Sequence, residues 1–273
     1  MTLELRDLEH PKESLREVLL SCAAALREDI DKLPRDASTR IHDIRVSVKE
    51  IRSLLRLAGS TIPDAHQSTL VPMLREMKGI FSESRDDEVM RQRLEQLMPD
   101  GEAAEAIARL RLIPAESAKL PDTARALELA RELLLRLAAL DFKTLTSDEL
   151  VENAVRFFRK AHKLRQRCKR DPHDDVIMHR WRKRVKDVFY HAAALSSLKP
   201  AKRLKAPLDT LADCLGEFHD LALLETRSKG ETQIADRVQV AKRKARKRCF
   251  KKARKVFQQK PGKFRKKLAK SLS

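Results

Sequence analysis

The chain has 273 residues and a formal net charge of +19, with only 6 glycines and 11 prolines. This composition, rich in Leu, Ala, Arg, Lys and Glu, favours helices and argues against a β-rich fold. The apolar stretches are short and interrupted by charge, and the first ten residues lack the pattern of a secretory signal. We therefore expect a cytoplasmic protein with no membrane association.

The positive charge is concentrated in two segments. Residues 241–273 hold 16 Lys and Arg and no acidic residue, which leaves a net charge of only +3 for the remainder of the chain. Within that remainder, residues 156–186 hold 13 Lys and Arg against three Asp. A uniformly basic surface would indicate nonspecific binding to anions, whereas concentrated basic patches indicate a binding site for a polyanion.

Helical periodicity, interrupted by proline, glycine and capping residues, divides the chain into predicted helices. In chain order they cover about 12–32, 38–59, a segment that begins after Pro63, 122–140, 147–170, 172–197, a segment whose start is framed by Pro200 and Pro207, and 231–259. Two starts have the spacing of a capping box, Asp64 with Gln67 and Thr146 with Glu149. After Pro261 the helical pattern is expected to give way to a basic tail.

Two short motifs occur twice in the same order. Residues 41–49 align with 178–186 at an offset of 137, and residues 81–86 align with 215–220 at an offset of 134. Two matches with nearly the same offset indicate a duplicated unit of about four helices.

This duplication predicts the fold class. We expect an all-α protein made of two four-helix bundles related by a pseudo-twofold axis. The first repeat is expected over about 10–141 and the second over about 147–258, so that one domain covers 10–258. A basic tail is expected over 259–273.

The predicted helix over 38–59 combines an apolar stripe with a cationic one. Its apolar residues recur at helical spacing and predict a buried face: Ile44, Val48, Ile51, Leu55 and Ala58. Beside them lie the cations of the first basic stripe: Arg45, Lys49, Arg52 and Arg56. These four residues span roughly 16 Å along one line. Like charges at this spacing disfavour a helix by ~0.2–0.5 kcal/mol per pair, and a linear anion lying along the helix would relieve that repulsion.

The second copy carries basic residues at the matching positions His179, Arg182 and Lys186. It adds Arg180, Lys183 and Arg184 between them. The preceding helix adds a further stripe at the same spacing: Arg156, Lys160, Lys163 and Arg167. Helices that are adjacent in sequence would line a groove together, so we expect these residues to bind a polyanion. The alternative is a solvated basic face, which the duplication disfavours.

The histidines and cysteines show no metal-site pattern. His42 and His179 occupy equivalent positions, where a protonated or donating imidazole would suit a phosphate oxygen. Neither has a partner at metal-ligand spacing, and the four cysteines lie far apart with no C-x-x-C pair. We expect reduced thiols, no metal and no cofactor.

Arg85–Asp86 and His219–Asp220 are also paired across the repeat. Each aspartate is interpreted as a helix cap or as a salt-bridge partner that orients a basic residue. Arg85 is included among the expected ligand-binding residues.

No motif in the sequence indicates catalysis. A glycine-rich phosphate loop, a G-x-S-x-G elbow and the E-x-E-x-K signature of tunnel-fold triphosphatases are all missing. We therefore expect a binding protein and not an enzyme.

At these residues the sequence resembles the CHAD family, the conserved-histidine α-helical domain. The matching segments are H-D-I-R-V-S-V-K-E-I-R at 42–52, R-D at 85–86, H-R-W-R-K-R-V-K-D-V-F-Y at 179–190 and L-G-E-F-H-D at 215–220. The resemblance implies two four-helix bundles with a basic surface or channel between them that binds inorganic polyphosphate without hydrolysing it. The basic positions that it carries over are His42, Arg45, Lys49, Arg52, Arg85, His179, Arg182 and Lys186.

Other partners remain open at this point. A nucleic-acid backbone, contacted by the basic tail, is the main alternative, although one Trp, one Tyr and nine Phe leave few residues for base stacking. A third interpretation is an accessory subunit that docks an acidic enzyme. Polyphosphate binding would place the protein at polyphosphate-rich bodies of the cell.

Overall fold

The computed structural model describes residues 2–33, 37–81, 83–112, 121–142 and 144–272, and only the backbone of residues 37, 38, 83–86 and 100. These ranges contain eleven α-helices and no strand. In chain order the helices are α1 Pro11–Asp31, α2 Ala37–Ala58, α3 Asp64–Ile80, α4 Glu83–Leu97, α5 Asp100–Arg109, α6 Thr123–Ala138, α7 Ser147–Arg170, α8 Asp175–Ala194, α9 Lys199–Arg227, α10 Thr232–Val256 and α11 Pro261–Ala269. The predicted all-α class is confirmed. No helix within these ranges is both long and apolar enough to cross a lipid bilayer.

The core follows the apolar periodicity of the helices. The predicted buried stripe of α2 is confirmed, since Ile44 and Ile51 are fully buried and the other three members are at most 9% exposed. Burial of each large apolar side chain stabilises the fold by roughly 1.5–3 kcal/mol. The remaining face of α2 is thereby fixed in its orientation toward the neighbouring helices.

The helices contact one another in two rings. In the first, α1 packs against α2 and α6, and α3 packs against the same two helices. In the second, α7 packs against α8 and α11, and α9 packs against the same two. Contacts of α2 with α7 and α8 join the rings, and α4 and α10 pack against α9 of the second ring and against each other. The pseudo-twofold axis and the repeat boundaries stay predictions.

One of the two predicted capping boxes is present. Thr146 accepts a hydrogen bond from the backbone N–H of Glu149, whose carboxylate accepts one from the N–H of Thr146. The capping box at Asp64 is wrong, because Pro63 holds the cap position and Asp64 is already helical. The Gln67 amide instead donates to the carbonyl of Ile62 at 2.9 Å.

Two expectations about proline are also wrong. Pro200 lies in the first turn of α9, but Pro207 lies within that helix and does not frame its start. Pro261 begins α11 where a basic tail was expected, and Phe264 and Leu268 of α11 are buried. The Phe264 ring lies 4.7 Å from that of Phe158 on α7. Proline suits the first turn of a helix, because an N–H at that position would have no intrahelical acceptor.

Candidate functional site

Cations of four helices, α2, α3, α7 and α8, meet where α2 packs against α7 and α8, and a histidine of α9 lies beside them. Burial lowers the pKa of Arg52, and the nearby charges of Arg56 and Arg75 add to this effect. Burial also lowers the pKa of Lys183, and Lys78 of α3 and Arg52 of α2 lower it further. We call this group the α2–α8 cluster, and its members are Arg52, Arg56, Arg75, Lys78, Arg156, Lys160, His179, Arg182, Lys183, Arg184 and His219.

A buried acid joins the two central helices of the cluster. Asp187 of α8 is 4% exposed, and its two carboxylate oxygens accept hydrogen bonds from Arg56 of α2 and Arg184 of α8, each at 2.7 Å. Ser53 of α2 donates to the carbonyl oxygen of Asp187 at 3.3 Å. The buried His191 ring nitrogen Nε2 lies 3.0 Å from the carbonyl oxygen of Ser53, to which it donates. These bonds fix α2 and α8 against each other.

Three other cations of the cluster, Arg52, Lys78 and Lys183, have no such acid beside them. Among the described residues, no carboxylate oxygen lies within 4 Å of any of the three, whereas Arg56 and Arg184 form salt bridges with Asp187. Arg52 is half-buried, so less water screens it from the neighbouring cations and the repulsion is stronger than between fully exposed charges. The cluster is therefore arranged to gain stability when a polyanion enters.

Phe157 of α7 provides a surface for three of the cations. The charged ends of Arg156, Lys160 and Arg184 lie 5.8, 5.2 and 5.2 Å from the centre of its ring. Cation–π attraction of this kind contributes about 0.5–1 kcal/mol at exposed sites. It holds these side chains at the α7–α8 edge of the cluster without neutralising their charge.

A groove of ≈ 340 Å³ extends from the cluster between α2, α3 and α7. Arg52, Arg56 and Arg156 line it together with apolar side chains such as Leu55 and Val71. The groove is open to solvent along its length and gives an extended ligand access to the guanidinium groups.

His179 of α8 faces His219 of α9 at the other end of the cluster. Their Nδ1 atoms are 3.2 Å apart, so one nitrogen donates a proton and the other accepts it. Burial lowers the pKa of each to about 4, assisted by the charges of Lys183, Arg182 and Lys78. Both imidazoles are neutral at pH 7, so the structure favours a donating and not a protonated His179.

The structure brings together about half of the predicted site residues. Seven of them belong to the α2–α8 cluster: Arg52, Arg56, Arg156, Lys160, His179, Arg182 and Lys183. Lys163 and Arg167 are exposed farther along α7, and His42 is exposed near the start of α2. Lys49 is half-buried, one turn of α2 before Arg52. The side chain of Arg85 lies outside the described residues.

Two predicted residues have local partners. Arg45 donates to the carbonyl oxygen of Phe81 at 2.6 Å and so links α2 to the end of α3. Lys186 lies 3.9 Å from a carboxylate oxygen of Asp213 on α9. Burial lowers the pKa of Lys186, while the charges of Asp213 and Asp209 oppose that change. Its acidic surroundings differ from those of Lys183, one turn earlier on α8.

Four cluster members were not among the predicted site residues: Arg75, Lys78, Arg184 and His219. His219 belongs to a repeated motif, so a signal for it was present. Arg75 and Lys78 belong to no repeated motif, and they reach the cluster only because α3 packs beside α2.

Asp220, next to His219, forms the salt bridge expected of it, with Arg93 of α4 at 3.2 Å. No group of three potential metal ligands occurs among the side chains that the structure describes.

Comparisons with known proteins agree on one family. The model of the CHAD domain matches residues 17–229. The crystal structure of the CHAD domain from the plant Ricinus communis has a TM-score of 0.63 at 18% identity, and the alignment covers 98% of this chain and 94% of that one. At this identity the likeness shows a shared fold. No curated protein matches the sequence. Since the family model matches well over half of its length, the chain belongs to the CHAD domain family.

Proposed function

We propose that this protein binds inorganic polyphosphate at the α2–α8 cluster and does not hydrolyse it. Polyphosphate binding is the known association of the CHAD family. The observation that carries the proposal is the meeting of Arg52, Lys78 and Lys183 from three different helices, with no carboxylate oxygen within 4 Å of them among the described residues.

The chemistry of the cluster suits a thin, flexible chain of phosphates. Guanidinium groups such as that of Arg52 donate two parallel hydrogen bonds to phosphate oxygens, and ammonium groups such as that of Lys183 act as point charges. Polyphosphate carries one negative charge per phosphate and has no bases, so it needs no aromatic surface. The facing histidines supply one further neutral donor, because the ring that accepts the shared proton at Nδ1 carries its own N–H at Nε2.

The same residues offer little for hydrolysis. The buried carboxylate of Asp187 is engaged by Arg56 and Arg184, so it is unsuited to activate water. We therefore expect no release of orthophosphate when the purified protein is incubated with long-chain polyphosphate and magnesium. Phosphate release that scales with protein concentration, and that a cluster substitution abolishes, would show that the protein is an enzyme.

The binding proposal is tested by neutralising two cluster cations. Arg52→Gln with Lys183→Gln should weaken polyphosphate binding at least tenfold, because both charges face the ligand. The matched control is Lys202→Gln with Arg203→Gln, which removes the same charge from the exposed start of α9 and should change the Kd less than threefold. Equal effects of the two variants would mean that net charge, and not the cluster, determines binding.

The stability of the cluster variant distinguishes a binding role from a structural one. Since Arg52 and Lys183 repel each other, their neutralisation should leave the free energy of unfolding unchanged or raise it. Urea denaturation of both variants provides this measurement.

We further propose that the protein is cytoplasmic and associates with polyphosphate-rich bodies. Fluorescence microscopy of the tagged wild type and the tagged cluster variant would test this.

A further inference from the structure

Helix α10 buries one narrow face and leaves the remainder in solvent. Its buried residues are Ile234, Val238, Ala245, Cys249, Ala253 and Val256. On a helix of 3.6 residues per turn these side chains fall within one stripe. The stripe packs against α9 and α4 and reaches α8, where Trp181 stacks on Phe250 with ring centres 5.5 Å apart.

The opposite face of α10 is cationic. Arg243, Lys247, Lys251 and Arg254 follow one another at +4, +8 and +11 along the line that points away from the buried stripe, and all four are exposed. We call these four residues the α10 stripe, which is roughly 16 Å long. No carboxylate oxygen of the described residues lies within 4 Å of any of them. Salt bridges are formed instead by cations at the edges of α10. Arg248 pairs with Glu217, and Lys242 pairs with Asp175 and Glu225.

The α10 stripe and the α2–α8 cluster are separate surfaces. Trp181, which α10 covers, and Lys183, which belongs to the cluster, are two residues apart on α8. Two residues correspond to about 200° around a helix axis, so the two side chains point in nearly opposite directions. Helix α10 therefore lies on the far side of α8 from the cluster.

We propose that the α10 stripe binds the phosphate backbones of double-stranded nucleic acid without reading their sequence. Duplex DNA carries one negative charge per about 1.7 Å of its axis, so the stripe would face roughly nine phosphate charges. A convex helix face can lie against such a wide rod, whose major groove of about 12 Å admits a helix. A thin polyphosphate chain would touch this face from one side only, and it gains more contacts in the cluster.

The composition of the α10 stripe and its surroundings supports this choice of partner. From 241 to 257 the chain contains no Asn, Gln, Asp or Glu. Base edges are read mainly by such residues and by Arg, whereas Lys and Arg without them are typical of phosphate contacts. The two aromatic side chains of this segment, Phe250 and Phe257, are half-buried and buried, so neither offers a platform for the unstacked bases of a single strand.

The test neutralises the α10 stripe in the full chain. The variant carries Arg243→Gln, Lys247→Gln, Lys251→Gln and Arg254→Gln. The control carries Lys199→Gln, Lys202→Gln, Arg203→Gln and Lys205→Gln, which removes the same charge from exposed positions of α9. Binding of two 24-base-pair duplexes of unrelated sequence, one single strand of equal charge and long-chain polyphosphate is measured at several salt concentrations.

We expect the stripe variant to bind both duplexes at least tenfold more weakly. The log–log slope of its affinity against salt should be shallower by up to about 3.6, because each of the four lost phosphate contacts removes about 0.9. Its Kd for polyphosphate should change less than threefold, and the control should keep duplex binding. This proposal and polyphosphate binding at the cluster can fail independently, since each has its own ligand and its own variant.

The proposal is wrong if the wild type does not bind duplex, if it binds the single strand more tightly than duplex, or if the stripe variant binds duplex as well as the wild type does. It is also wrong if the control loses as much duplex affinity as the stripe variant, or if the stripe variant loses as much affinity for polyphosphate as for duplex. Circular dichroism and thermal denaturation confirm that each variant is folded. The half-variant Arg243→Gln with Lys247→Gln, which should show an intermediate salt dependence, replaces the full variant if that one is unstable.

Discussion

Arg52 and Arg56 lie one turn apart on α2, yet their surroundings give them different roles. Arg56 is held by the buried Asp187, whereas Arg52 has no carboxylate oxygen within 4 Å among the described residues and lies near the charges of Arg56 and Arg75. Removal of one partner from a buried ion pair is strongly destabilising, because the remaining charge is left uncompensated. The sequence placed both arginines in one stripe and could not separate them, since Asp187 lies 131 residues farther along the chain.

This distinction predicts a large loss of stability on neutralising Asp187. Asp187→Asn should lower the free energy of unfolding by about 3 kcal/mol, measured by urea denaturation. The control is Asp213→Asn, which removes a 72% exposed partner 3.9 Å from Lys186 and should cost less than about 1 kcal/mol. A similar loss in both variants would show that Asp187 does not hold the cluster together.

The facing histidines predict how stability depends on pH. His179 and His219 have pKa values of about 4 in the folded protein, below the ordinary value of about 6.5. Between these values the unfolded chain binds more protons, so the free energy of unfolding should fall as the pH drops from 6.5 toward 4. The fall is at most about 1.4 kcal/mol per pH unit for each group, and solvent reduces it for the partly exposed His179.

Substitution of both histidines tests this reasoning. His179→Gln with His219→Gln should flatten the fall in stability below pH 6.5, leaving the contribution of the buried His191, whose pKa is also about 4. Urea denaturation at pH 7.5, 6 and 5 measures it. An unchanged pH dependence in the double variant would show that the pair is not neutral in the folded protein. A bound polyanion would raise both pKa values, so polyphosphate should bind the wild type more tightly at pH 5.5 than at pH 7.5.

At the scale of the helices, α11 was not predicted from the sequence, which indicated a basic tail at this position. Its nine residues contain two large apolar side chains, Phe264 and Leu268, among cations, and so short a pattern does not distinguish a helix from a basic tail. Its stability comes from packing on Phe158 of α7, 106 residues earlier. Pro261 follows Thr123, the first residue of α6, by 138 positions, close to the two motif offsets. Under the predicted duplication, this spacing would make α11 the counterpart of α6 in the second repeat.

The packing of α11 predicts that it is needed for stability. Phe264→Ala should lower the free energy of unfolding by about 3 kcal/mol, as expected for a buried phenylalanine. The exposed Lys267→Ala should change it by less than about 0.5 kcal/mol. Thermal denaturation of the two variants makes the comparison. Equal melting temperatures would mean that α11 does not contribute to the fold, and truncation at Pro261 would then be a harmless way to probe its charge.

The long helices were accessible from sequence because their signals are local. The apolar stripe of α2, the capping box at Thr146 and the extent of α7 all follow from spacing within one segment. The wrong cap at Asp64 has a local cause as well, since Pro63 satisfies the same position and Gln67 finds the carbonyl of Ile62. What spacing could not supply is the partner across the core, such as α3 beside α2.

For the whole molecule, the distribution of charge is more informative than its total. Within a net charge of +19, the structure places one group of cations between α2 and α8 and a separate exposed stripe on α10. The repeated motifs pointed to part of the cluster, because His179 and Arg182 align with His42 and Arg45 of the first motif. They did not show that α3 and α9 also contribute residues to the α2–α8 cluster. Nor did they show that α10 lies on the far side of α8.

The position of a bound chain tests the cluster most directly. A crystal structure with polyphosphate of defined length should show phosphate density between α2 and α8, with oxygens within hydrogen-bond distance of Arg52, Lys183 and one of the facing histidines. Density confined to the exposed face of α10, with Arg52 and Lys183 facing only solvent, would contradict the assignment.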